Sequence, residues 1–171
     1  MEKNRRPVAS APDAPALTGK EPGGVASELT QLKRQVADML DREAIRQLPI
    51  SYAHFARTKN VDALVALYAK DATFDVPENM GTQAGLRSGV EAIRESLRAD
   101  LQRADPWPFI HSHYFEMRGK DRAEGFVHIE LRMSVQGLQV SYISCYRDEY
   151  VRENGAWKFR SRKLCAVPPP C

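Results

Sequence analysis

The sequence predicts an α+β fold, a cone-shaped barrel in which three helices pack in a strongly curved, mostly antiparallel sheet. Residues Ile45–Pro77 are patterned as helix, turn, helix and strand. From Phe109 onward, apolar and polar residues alternate with the period of two that is typical of strands. Strands of this length must twist and coil, so the sheet can wrap around the helices that precede it.

The composition is that of an ordinary globular protein. The 171 residues are 43% hydrophobic and 27% charged, and a net charge of +3 with mixed signs argues against a nucleic-acid partner. No apolar run approaches the roughly 18 residues of a membrane span, and the basic N-terminus lacks the apolar stretch of a secretory signal. We therefore expect a cytoplasmic protein with no membrane partner. No metal-ligand or nucleotide-binding motif occurs, so neither a metal nor a cofactor is expected.

Proline and glycine content divides the chain into three segments. Residues 1–26 are expected to form a flexible N-terminal arm, because they show no periodicity and cannot bury enough apolar surface to become ordered alone. Residues 27–165 form the folded domain. Residues 166–171 form a Pro-rich C-terminal tail, whose three successive prolines cannot donate hydrogen bonds to a sheet.

Three helices are predicted from apolar spacing and capping signals. The first begins at an N-cap at Ser27 and contains Pro49, which should bend it. Asn60 can cap the second helix, and Ser88 opens the third through a capping box with Glu91. Two apolar stripes recur at helical spacing in the first helix: Leu29, Leu32, Val36, Met39 and Leu40, then Ile45, Leu48, Tyr52 and Phe55.

Five strands are predicted from alternation. In the first, Ala72–Val76, the side chains of Phe74 and Val76 share one face, and residues 78–87 follow as a polar loop. Asn154-Gly155 is a strong signal for a two-residue hairpin turn. The other four strands are residues 109–118, 123–135, 138–152 and 157–164.

One strand face carries polar-tipped side chains that could form a pocket wall. Its members alternate along residues 138–152: Tyr142, Ser144, Tyr146, Asp148 and Tyr150. Buried hydroxyls need hydrogen-bond partners, and a pocket supplies them, so we expect this face to point inward; pointing outward, it would be a dimer surface. Burial of Asp148 would raise its pKa through desolvation and make it a hydrogen-bond donor or an acid.

Histidines and basic residues on two other strands leave alternatives open. His111 and His113 share one face by alternation, and either could be a general base near neutral pH or a structural histidine. In the last strand, Lys158, Arg160 and Arg162 are expected to form a solvated or interface face.

The element order and several local segments resemble the nuclear transport factor 2-like superfamily, in its SnoaL-like branch. The resemblance rests on Asp41–Arg46 at the first helix, Asp62–Phe74 from helix to strand, Gly89–Arg94 at the third helix and Asp148–Lys158 at the last hairpin. Scytalone dehydratase and ketosteroid isomerase are distant relatives in that superfamily. The resemblance implies a homodimer as well as the fold.

The resemblance implies some site residues, and it also shows that other catalytic residues of these relatives have no counterpart in this chain. Tyr52 matches the tyrosine of ketosteroid isomerases that donates to a developing enolate oxygen, and Asp148 lies near their second donor. Their general base falls on Val76, which cannot take a proton. The tyrosine and aspartate of scytalone dehydratase fall on Ala56 and Arg57. A pocket histidine of that enzyme falls on His111, with His113 as the other candidate.

These observations predict an acid/base enzyme that needs no cofactor. It would be a lyase, dehydratase, isomerase or cyclase acting on a hydrophobic oxygenated small molecule such as a polyketide, an aromatic compound or a steroid. His111 would move the proton, while Tyr52, with Asp148 or Tyr146, would hold the oxyanion. Substrate contacts are expected from Tyr146, His113, Val76, Phe74, Ala56 and Ser144. The alternative is a non-catalytic small-molecule-binding or dimerisation module of the same fold.

Overall fold

The computed structural model describes residues 22–78, 84–135 and 137–166. Most of the predicted arm and tail therefore lies outside the described residues. The helices are α1 (Pro22–Arg57), α2 (Val61–Ala66) and α3 (Val90–Arg103). The strands are β1 (Tyr68–Val76), β2 (Gly85–Ser88), β3 (Ala104–Met117), β4 (Arg122–Val135), β5 (Leu138–Glu153) and β6 (Ala156–Ala166).

The chain divides into two compact units, Met1–Ala37 and Asp38–Cys171. The described part of the first unit is the beginning of α1. The predicted helix start at Ser27 is wrong, because α1 begins at Pro22, and proline is favoured in the first helical turn, where its missing N–H leaves no bond unmade. None of the three helices, over the residues described, combines the length and hydropathy that a membrane crossing requires.

The second unit is an α+β domain built on an open six-stranded sheet, which confirms the predicted fold class. The strand order is β2-β1-β6-β5-β4-β3, and β1 with β6 is the parallel pair of this mostly antiparallel sheet. The edge strand β2 lies where a polar loop was predicted; it pairs with β1 in a register that sets Thr73 opposite Ser88. The two-residue turn at Asn154-Gly155 is confirmed, with positive φ at both residues as a type I′ turn requires.

Helix packing follows the predicted stripes in this unit. Ile45, Leu48 and Tyr52 of α1 are buried in the core, and Pro49 is accommodated within the helix. The predicted cap of α2 is confirmed, since the Asn60 side chain accepts a hydrogen bond from the Ala63 N–H at 3.0 Å. The predicted capping box of α3 is wrong. Its N-cap is Gly89, at a positive φ of 84°, with no side-chain cap bond.

A bulge in β3 overturns the prediction that His111 and His113 share a face. Ile110 pairs with Ile129 and Ser112 pairs with His128, so His111 is an extra residue between them. An extra residue reverses the alternation beyond it. His111 consequently points outward, whereas His113 points toward the interior.

A second bulge, at Arg160 in β6, has the same effect. Glu149 pairs with Ser161 and Tyr150 pairs with Phe159, which leaves Arg160 unpaired. Phe159 points inward before the bulge and Arg162 points inward after it. The expectation of a solvated face is therefore wrong for Arg162, which is only 1% exposed.

Candidate active site

The second unit contains a mostly apolar cavity of about 320 Å³. That volume lies within the range of small-molecule sites. Its wall is drawn from α1, α2, α3 and all strands except β2. The apolar lining residues are Ala56, Leu64, Phe74, Val76, Leu97, Leu101, Ala104, Pro106, Pro108, Ile110, Ile129, Leu131, Met133, Val135 and Leu164.

Five of the residues predicted for the site line this cavity: Tyr52, Ala56, Phe74, Val76 and Tyr146. The ring of Tyr52 is edge-on to that of Tyr146, with centroids 6.2 Å apart. Burial raises the pKa of the Tyr52 hydroxyl; the neighbouring Tyr68 and Asp100 raise it further, whereas the charge of Arg162 opposes the rise. Burial likewise raises the pKa of the Tyr146 hydroxyl, so both tyrosines are neutral near neutral pH.

Arg162 places a cation in the wall of the cavity. Its guanidinium lies against three rings, with its central carbon 3.9 Å from the Tyr146 centroid, 4.1 Å from that of Phe159 and 4.4 Å from that of Tyr52. Such contacts stabilise a guanidinium that has left water. Sequence reasoning missed this residue, because alternation alone assigned it to the solvent face.

Asp148 neutralises Arg162 from the neighbouring strand. Arg162 Nε donates to Asp148 Oδ1 and Arg162 Nη2 donates to Asp148 Oδ2, each at 3.0 Å. The remaining nitrogen, Nη1, is buried and has no hydrogen-bond partner within the described part of the chain. It is thus the guanidinium nitrogen that the contact with Asp148 does not satisfy.

Asp148 was predicted to donate a hydrogen bond to a ligand, but in the structure it accepts hydrogen bonds from Arg162 and Tyr150. Burial raises its pKa, as predicted, while Arg162 and the Tyr150 hydroxyl oppose that rise. Both carboxylate oxygens accept hydrogen bonds, and Asp148 is absent from the cavity wall as described. Its geometry is that of a carboxylate that holds Arg162 in place.

His113 and Tyr150 extend this network away from the cavity. Tyr150 donates to Asp148 Oδ2 at 3.2 Å, and His113 Nε2 lies 2.9 Å from the Tyr150 hydroxyl. Because the Tyr150 proton is directed at Asp148, the hydrogen-bond network assigns the bridging proton of the second contact to His113 Nε2. Burial, with the charges of Arg162 and Arg46, lowers the pKa of His113 to about 4. A neutral His113 therefore donates to the Tyr150 hydroxyl and helps to hold it in the orientation in which it donates to Asp148.

The structure does not bring His111 to the cavity. Its side chain is 55% exposed and its Nε2 lies 3.6 Å from Glu130 on the outer face. The bulge in β3 is the reason, since His111 is the residue that it displaces. Ser144 is buried as predicted, but it also lies outside the described cavity wall.

The cavity wall contains one carboxylate among its described residues, Asp100 of α3. It lies three residues after Leu97 and next to Leu101, both of which are buried. Its charge acts on the pKa of Tyr52. The signal that could have found it was its position beside the apolar stripe of the predicted third helix.

The cavity inside an open, curved sheet defines a nuclear transport factor 2-like protein. Three solved structures from Novosphingobium aromaticivorans share the fold. A protein described as nuclear transport factor 2-like with a cystatin-like fold matches at 23% identity and a TM-score of 0.68, over 84% of this chain and 92% of its own. One provisionally named an aromatic ring hydroxylase matches at 23% identity and a TM-score of 0.69, over 77% and 92%. One provisionally named a scytalone dehydratase matches at 16% identity and a TM-score of 0.67, over 76% and 86%.

Within this class, the chain belongs to the SnoaL-like domain family, whose sequence profile matches residues 37–163. The predicted resemblance is thereby confirmed. No curated protein sequence matches the chain. Because the solved structures are less than 25% identical to it, they show the fold alone.

Proposed function

We propose that the cavity binds a hydrophobic small molecule through an oxygen that carries or develops negative charge, and catalyses a lyase- or isomerase-type proton transfer on it. The observation that carries the proposal is Arg162, a residue of the wall of a mostly apolar cavity whose buried Nη1 has no hydrogen-bond partner among the described residues. An unsatisfied buried donor costs about 1–3 kcal/mol. A ligand oxygen at this nitrogen would remove that cost.

The donor is oriented before any ligand arrives. Arg162 is fixed by two bonds to Asp148, and Asp148 by Tyr150. Donors held in place in a water-poor site stabilise a developing oxyanion without having to reorganise. The same arrangement favours an enolate or phenolate over its neutral parent, which is the requirement for removing a proton from the adjacent carbon.

Asp100 is the residue we assign to move the proton. It would take a proton from the carbon next to the ligand carbonyl, and the electron pair of the broken C–H bond would become the enolate, with its oxygen at Arg162. In an isomerisation, Asp100 returns the proton to another carbon. In a dehydration, it gives the proton to a leaving hydroxyl, which departs as water when the C=C bond forms.

The structural neighbours suggest where to look for a substrate. Two of them carry provisional names that refer to a dehydratase and to an aromatic ring hydroxylase. We therefore propose hydroxylated aromatic compounds and cyclic ketones as the first panel.

The test is incubation of the full chain with this panel in D2O, with deuterium incorporation and water loss followed by mass spectrometry. We expect Asp100→Asn to abolish turnover, because the amide keeps the shape of the side chain but cannot take the proton; circular dichroism checks that the variant is folded. Glu95→Gln, an exposed change on the same helix, should keep full activity. A compound turned over equally fast by Asp100→Asn and the native protein would contradict the assignment of Asp100.

The second candidate is a binding module that performs no reaction. It is favoured by one observation, that no histidine lies among the described residues of the cavity wall. A panel compound that binds with micromolar affinity, and shows neither exchange nor water loss, would support this candidate over the enzyme.

A further inference from the structure

The first unit of the chain exposes an apolar seam along α1, formed by Val25, Leu29, Leu32 and Val36. Their exposed fractions lie between 48% and 57%. The intervals between them are four, three and four residues. This is the spacing of the a and d positions of a coiled coil, and the sequence continues it to Met39.

We propose that this seam binds the seam of a second copy of the chain, in a parallel two-stranded coiled coil. The spacing places Leu29 and Val36 at a positions, and Val25 and Leu32 at d positions. Val36 at a and Leu32 at d are the residue types that favour two strands, whereas Leu29 at a and Val25 at d do not add to that preference. The proposal concerns association and is independent of the proposed function.

Charge complementarity decides the direction of the pairing. Glu28 falls at a g position and Lys33 at the following e position. In a parallel, in-register pair, Glu28 of one copy faces Lys33 of the other, on both sides of the seam. An antiparallel pair would set like charges against each other instead, which is unfavourable.

The opposite face of the same helix is polar and exposed to solvent. Ser27, Gln31 and Arg34 occupy the outer positions of the heptads and are exposed. The apolar residues are thus confined to one stripe, as expected for a helix that is covered along one side. Two other occupants could cover that stripe, namely residues 1–21 of the same chain or an unrelated protein, and the tests below separate them.

The first test is the solution mass of the full chain, measured by sedimentation velocity. The double variant Leu29→Lys/Leu32→Lys should halve the mass of the assembly, because it places four lysines in the seam of a pair. Its matched control is Gln31→Lys, which adds the same charge on the outer face and should leave the mass unchanged. An unchanged mass for the double variant would overturn the proposal.

The second test concerns register. Glu28→Lys and Lys33→Glu should each weaken dimerisation about tenfold or more, through like-charge contacts on both sides of the seam. The double variant Glu28→Lys/Lys33→Glu should recover most of the loss. Failure of the double variant to recover would overturn the parallel register.

The third test is cross-linking of Leu32→Cys with oxidised glutathione. A d position faces its own copy in a parallel pair, so a disulfide-linked dimer should form. The native chain, with Cys145, Cys165 and Cys171, is the control for linkage through other cysteines. If Leu32→Cys gives no more linked dimer than the native chain, the seam is covered by something else and the proposal fails.

Discussion

Asp148 and Arg162 face each other across β5 and β6 in a fully buried ion pair with two hydrogen bonds of 3.0 Å. The pair uses both carboxylate oxygens and two guanidinium nitrogens, and the third nitrogen, Arg162 Nη1, is the one that we propose as the donor to a ligand. Arg162 therefore contributes to the stability of the fold and is also the residue that we propose to bind the ligand. A change at either member should be read first as a stability change and only then as a functional one.

Arg162→Met should lower the free energy of unfolding by about 3–5 kcal/mol, because it leaves the Asp148 carboxylate buried without its partner. Urea unfolding followed by circular dichroism measures this. The matched control is Arg160→Met at the adjacent bulge. Arg160 pairs with Asp71 at the surface, so its loss should cost less than about 1 kcal/mol.

Adding Asp148→Asn to Arg162→Met should restore part of the lost stability, because the second change removes the unpaired charge. An additive double variant would mean that the two residues do not interact as the 3.0 Å contacts indicate. If the double variant is stable, it also provides a folded protein in which ligand binding can be measured without the donor.

The pH dependence of stability should carry the signature of His113. Burial and nearby positive charge lower its pKa from 6.5 in the unfolded chain to about 4 in the fold. Its contribution is therefore fully present above pH 6.5 and is lost as the pH falls toward 4, because the unfolded chain then binds a proton that the native state does not. His113→Gln should remove this part of the slope between pH 7 and pH 4.5 in urea titrations.

The comparison with His111→Gln makes that prediction specific. His111 lies exposed on the outer face of the same strand, so this variant controls for the loss of an imidazole outside the buried network. An identical pH profile for His113→Gln and the native protein would contradict a neutral, buried His113.

Ala56→Leu should close the cavity to ligands while keeping the fold. Ala56 is buried on α1 and lines the cavity, so a larger side chain has room there. We expect binding of 2-naphthoate, an apolar ring system with a carboxylate, to weaken about tenfold or more. Ala44→Leu, an exposed change on the same helix, is the control. Equal affinity of both variants would mean that the probe binds elsewhere.

Gly125→Ala should destabilise the sheet, because the strands approach too closely for a side chain at this position. A Cβ there would lie 2.2 Å from the Tyr114 carbonyl oxygen and 2.7 Å from Phe115 Cβ. We expect a loss of at least about 2 kcal/mol in thermal or urea unfolding. Gly24→Ala meets no atom within 4 Å and should be neutral or slightly stabilising. A neutral Gly125→Ala would show that β3 and β4 can separate locally.

Much of the fold and part of the site were predictable from local patterns. The stripe through Tyr52 identified the buried side of α1, and alternation along β5 identified the inward face that carries Tyr146 and Asp148. Asn154-Gly155 identified a hairpin because its two residues tolerate positive φ. These features depend on neighbours in sequence, so the sequence alone contains the information.

Which polar side chains form the centre of the site depended on the tertiary structure. His111 and His113 could be told apart only by the bulge in β3, and Arg162 was turned inward only by the bulge in β6. A bulge depends on which residues of the partner strand form the ladder bonds, and alternation within one strand does not reveal it. The burial of Arg162 also required Asp148 on another strand, because the free-energy cost of removing a guanidinium from water must be offset by an opposite charge in contact with it. The sequence by itself thus determined the three helices, five of the six strands and the family, while the pairing of strands decided which polar side chains reach the cavity.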